Sequence, residues 1–146
     1  MGETKRVDAA TAATLADKMV KANGLLAAAL GEATAPSGLT PAEAAAVRAL
    51  GTNPEGLSQS AWARTLGVSR QRAHVVASGL AARGLVTVES SGRSSKVALT
   101  PAGTAAAADL AVRRAEALAR RLGGLAAADA DALGAQLDRL VALLGA

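Results

Sequence analysis

Two short helical patterns, separated only by Gly67-Val68, constrain this chain more than any other feature of it. Ser58 stands at the head of the first, which runs to Leu66. Ser69 stands at the head of the second, which runs to Arg83 and stops at Gly84. A serine at that position accepts a hydrogen bond from a free backbone N–H of the first turn. A glycine past the last turn ends the helix by taking a positive φ. Trp62 and Leu66 give the first helix its buried side. Ala73, Val76, Ala77 and Leu80 share the inward face of the second. Gln71, Val75, Ser78 and Ala82 then face outward, with Arg72 and His74 on the flanks.

Two helices joined by a short glycine-containing turn form a helix-turn-helix unit. After it, Leu85-Val86-Thr87-Val88-Glu89 and Lys96-Val97-Ala98-Leu99 alternate in the manner of strands, and the polar stretch Ser90 to Ser95 reads as the loop of a β-hairpin. Upstream, Leu15, Met19, Ala22, Leu26 and Leu30 form one apolar stripe on a helix over 8–33, which Gly31 and Ala35-Pro36-Ser37-Gly38 break. Thr40-Pro41-Ala42-Glu43 opens a helix to about Leu50, with Thr40 and Glu43 as a capping box and Pro41 in the first turn. Residues 51–56 are a loop. Thr100-Pro101-Ala102-Gly103 opens a long helix to about Leu122, and Gly123-Gly124 ends it. The last helix carries Leu133, Leu137, Leu140 and Leu144.

The predicted fold is mainly α with a small β-hairpin. A winged helix-turn-helix lobe over 39–100 is flanked by helical segments, 8–33 and 101–146. Hydrophobic residues make up 51% of the chain, yet one residue is aromatic, and most of the apolar count is alanine. Alanine favours helix but contributes little buried area. Such thin helices gain by packing against a second copy, so a homodimer is expected, with the flanking helices as its seam. The absence of cysteine excludes disulfides and thiolate chemistry, and a single histidine leaves no basis for a transition-metal site. No metal or cofactor is expected. The first residues lack the apolar stretch of a signal peptide, and Arg6 stands where myristoylation needs Ser or Thr. No apolar run reaches the roughly 18 residues of a membrane span. The expected location is the cytoplasm, with no membrane partner.

The net charge is +4, and its distribution says more. Between Ser58 and Thr100 lie Arg64, Arg70, Arg72, Arg83, Arg93 and Lys96 against one acid, Glu89. The remainder of the chain carries ten basic and eleven acidic residues, so the excess sits in the central segment. Charge alone fits two readings equally, the footprint of a nucleic-acid partner or a chance cluster on a solvated face. On the second helix, glutamine pairs with adenine, arginine with guanine, and an exposed valine meets a thymine methyl. A hairpin tip carrying Arg93 reaches a neighbouring minor groove, while serines donate to phosphate oxygens.

The stretches Leu39-Thr40-Pro41-Ala42-Glu43, Leu57-Ser58-Gln59-Ser60, Leu66-Gly67-Val68-Ser69-Arg70, Leu80 to Val86 and Val97 to Gly103 together resemble the MarR family of bacterial regulators, in the right order and spacing over about residues 10–145. The resemblance implies a triangular homodimer with two winged lobes on a palindromic operator in double-stranded DNA. It also implies a small-molecule effector that enters between the dimer region and the DNA-binding lobe. By position, Ser69 to Ser78 match the recognition helix and Arg93 the wing-tip arginine. The expected DNA contacts are Ser69, Arg70, Gln71, Arg72, His74, Val75, Ser78, Arg93, Ser94 and Lys96. Three positions depart from the family pattern. Ser91 stands where an aspartate usually orients the wing arginine, Val75 where arginine is frequent, and Ala61 where glutamate completes a capping box with Ser58.

Bland readings compete at several positions. Trp62 could line a ligand pocket, but it matches a core leucine and reads as packing; Arg113-Arg114 and Arg120-Arg121 read as a solvated helix face ahead of a secondary DNA or ligand site. His74 has no nucleophile or carboxylate beside it in sequence, so a base or phosphate contact fits better than catalysis. For the whole chain the leading expectation is a DNA-binding repressor. The alternative is a winged-helix protein-interaction module that has lost DNA binding, which Ser91 and Val75 leave open. An enzyme is not expected, because the sequence offers no catalytic triad, phosphate-binding glycine loop or paired carboxylates.

Overall fold

The computed structural model describes residues 4–91 and 94–146. The chain runs α1 (Ala9–Thr34), a 3₁₀ turn (Ala35–Ser37), α2 (Pro41–Gly51), β1 (Leu57–Ser58), α3 (Gln59–Leu66), α4 (Arg70–Ala82), β2 (Val86–Ser91), β3 (Ser94–Leu99), α5 (Pro101–Arg121) and α6 (Ala127–Leu144). The helix starts follow local chemistry. Thr40 accepts from the Glu43 N–H at 3.1 Å while Glu43 accepts from the Thr40 N–H at 3.0 Å, closing the capping box. Ser58, Ser69 and Thr100 each cap the helix that follows. With Ala61 in place of glutamate, the Ser58 box is half made, as the sequence implied.

The structure departs from the sequence reading at several places. Gly31 does not break the first helix; strong helix formers carry α1 through it, and the turn falls at Ala35–Ser37, ending on Gly38 with φ 73°. The hairpin loop is shorter than Ser90 to Ser95, because pairing continues from Val86↔Leu99 out to Ser91↔Ser94. A third strand, β1, carries no local sequence signal; it pairs antiparallel with β3, Leu57 opposite Val97, giving the order β1-β3-β2. Gly56 permits that approach, since with φ 87° a β-carbon there would lie 2.6 Å from the Val97 carbonyl oxygen.

The core lies within the central lobe and is built on Trp62, Leu50, Leu80, Val47 and Val97, with Leu110 entering from α5. Leu66 is only half-buried. Gly103 seats the start of α5, because a β-carbon there would overlap the Leu85 carbonyl oxygen. Outside this lobe burial is sparse. α1 packs along α5 yet buries only Ala29 and Thr34, leaving Leu15, Val20, Leu25 and Leu26 exposed. No residue of α6 is buried; Leu133, Leu137, Val141 and Leu144 all face outward. No helix among the described residues is long and apolar enough to cross a membrane.

Candidate nucleic-acid interface

The lobe holds α4 by one side. Ala73, Ala77 and Leu80 are fully buried and Val76 partly so, which turns Gln71, Arg72, His74, Val75 and Ser78 outward; all five are exposed. Val75 is 64% exposed, an apolar side chain at the centre of a polar face. Ser69 is also exposed and accepts from the Arg72 N–H at 3.1 Å, so its oxygen serves as the helix cap. Gly67 makes the turn before it with φ 66°. The Trp62 indole N–H donates to the Ala73 carbonyl at 3.0 Å and fastens α3 to α4.

On the hairpin, Ser94 and Lys96 are exposed, and Lys96 stands opposite Glu89 in the ladder. Cross-strand partners share one face of a sheet, so the one acid of the basic segment lies beside one of its cations. Arg93 and Gly92, the expected wing tip, lie outside the described residues.

Arg83 leaves the cationic cluster. It donates to the Gly38 carbonyl at 3.2 Å and pairs with Glu43 at 3.7 Å, tying the end of α4 to the start of α2. Its charge therefore belongs to the frame and not to the outward face, a correction to the simple count of basic residues between Ser58 and Thr100. Glu43 is held below the usual carboxylate range, chiefly by the Thr40 backbone N–H and more weakly by the Arg83 charge. Arg70 donates to Ser60 Oγ at 2.9 Å. The sequence alone carries no signal for Ser60 as a site residue, because the contact joins two helices across a turn.

A second feature lies between α2 and α5. A cavity of about 490 Å³ is lined by Arg48, Leu50, Thr52, Leu99, Thr104 and Arg114 among others. The same two arginines border a smaller space of about 180 Å³ against Leu30 and Thr34 of α1. Arg48 and Arg114 are half-buried, and neither guanidinium has a hydrogen bond or ion pair among the described residues. The described residues contain no group of His, Asp or Glu able to hold a metal ion.

A three-stranded wing behind a helix-turn-helix, set between long helices, defines the class of winged-helix transcriptional regulators. The sequence profile of the MarR family matches residues 37–96. Among solved structures, the Mycobacterium tuberculosis MarR family protein Rv2887 in complex with p-aminosalicylic acid is 30% identical, with 86% of this chain and 97% of that one covered and a TM-score of 0.71. The same protein in complex with DNA aligns at 28% identity over 86% of this chain and 96% of that one, TM-score 0.73. AbsC, a MarR family transcriptional regulator from Streptomyces coelicolor, shares the fold at 20% identity over 97% and 98% of the two chains, TM-score 0.77. No curated protein matches. The chain belongs to the MarR family.

Proposed function

We propose that this regulator binds a palindromic operator in double-stranded DNA as a homodimer and acts in the cytoplasm as a repressor rather than as a catalyst. The observation that carries the reading is α4, whose polar side is fully outward while its small apolar side is locked into the lobe. Arg72, Gln71, His74, Val75 and Ser78 would address base edges, and Ser69 and Arg70 the backbone. Lys96, Ser94 and Arg93 would follow the adjacent minor groove. Residues 39–100 form the DNA-binding lobe, and 8–33 with 101–146 the dimer region. The uncovered stripes of α1 and α6 are the surfaces a second chain would cover. In the dimer the two α4 helices should meet major grooves roughly 34 Å apart.

The cleft between α2 and α5 is the proposed effector site. Two half-buried guanidinium groups without a carboxylate suit a small anion with an apolar body. Binding there would favour a lobe spacing that no longer fits the operator. The relative Rv2887, solved with DNA and with p-aminosalicylic acid, supports both halves of the reading.

Selection of bound fragments from genomic DNA, followed by mobility shifts at two salt concentrations, tests it. A palindromic sequence bound at nanomolar protein is expected. Absence of binding even at low salt would leave the protein-interaction module standing instead.

A further inference from the structure

Ser60 lies in the first turn of α3 and Arg70 opens α4; the turn at Gly67 brings them together, with Arg70 Nη2 donating to Ser60 Oγ at 2.9 Å. Arg64 follows Ser60 by four residues and so shares its helix face. The three side chains, with Ala63, Gly67 and Val68, line an open depression of about 510 Å³. No carboxylate lines it, and neither arginine has an acidic partner among the described residues. An exposed hydroxyl–guanidinium contact adds little to stability. Its effect is to restrict a long, flexible cation to one direction beside the end of α4 that enters the groove.

We infer that Ser60 is a positioning residue that holds Arg70, alongside Arg64, as a seat for a backbone phosphate of DNA at the edge of the recognition helix. The forked guanidinium donors match phosphate oxygens, and one donor spent on Ser60 leaves others to face the strand. Contacts of this kind set register and affinity and carry no base preference. The inference rests on the DNA-binding reading and adds to it Ser60 and Arg64.

The test is fluorescence anisotropy of the full chain on a labelled mixed-sequence duplex across a salt series, with thermal unfolding in parallel. Arg70→Ala and Arg64→Ala should each weaken binding about tenfold and lower the slope of log affinity against log salt by about one. Ser60→Ala should weaken binding about threefold in the wild-type background and have no effect once Arg70 is alanine, the signature of a coupled pair. Ser60→Thr, which keeps the hydroxyl, should retain affinity. A merely structural role would lower the melting temperature and leave the salt slope unchanged, and that outcome overturns the inference. So would independent, additive effects of Ser60→Ala and Arg70→Ala. A wild-type chain that binds no duplex at low salt would remove the DNA-binding reading itself, a failure distinct from the other two.

Discussion

The Trp62 indole N–H and the Ala73 carbonyl oxygen, 3.0 Å apart, form the one buried side-chain hydrogen bond between the two helices of the turn. Trp62 has no solvent exposure, and Ala73, fully buried beneath it, leaves room for the ring. One side chain thus both packs in the core and ties α3 to α4.

Trp62→Phe should therefore destabilise the protein by about 1–3 kcal/mol, from the lost donor and the space left by the smaller ring. A urea titration read from the methyl NMR signals of the buried lobe residues Val47, Leu50 and Leu80 measures this. An unchanged midpoint would mean that the contact contributes nothing.

Glu43 makes the fold sensitive to acid. Its folded pKa is depressed, so its contribution is fully present above the ordinary glutamate value and is lost as pH falls through the folded one. Glu43→Gln should be less stable than the parent at neutral pH, and the difference should close as pH falls through the folded value. A gap between the two urea midpoints that persisted in acid would contradict the assignment.

Arg72→Ala should cost about 1–3 kcal/mol of binding to the selected operator and relax base preference there. Equal weakening on operator and unrelated duplex would place Arg72 on phosphate alone. The comparison needs one competition titration with each DNA.

The uncovered leucine face of α6 gives a prediction about assembly. Leu137→Glu combined with Val141→Glu puts two carboxylates on a face that buries nothing within its own chain. Sedimentation velocity should show a monomer where the parent is a dimer, with operator affinity lost alongside. A dimer that survives both substitutions would move the seam elsewhere.

What could be read from the sequence was what is decided locally. Thr40 with Glu43, and Ser58, Ser69 and Thr100, announce their helices because cap and capped N–H lie three residues apart. The outward face of α4 followed from helical period alone. β1 was illegible because two residues become a strand only through Val97 and Lys96, some forty positions away. Ser90, Ser91, Ser94 and Ser95 have loop composition, yet register inherited from Val86↔Leu99 carries them into the ladder. Arg83 looked like part of a DNA-facing cluster because its partner, Glu43, is remote in sequence.

The chain has one tryptophan and neither tyrosine nor phenylalanine, so near-ultraviolet emission comes from a single, wholly enclosed fluorophore. Its spectrum should shift to the red when the winged lobe opens and stay silent while the outer helices fray or part. Backbone ellipticity, in contrast, is dominated by those helices. The protein thus carries two optical gauges reading different halves of the molecule, and denaturation curves from the two need not coincide.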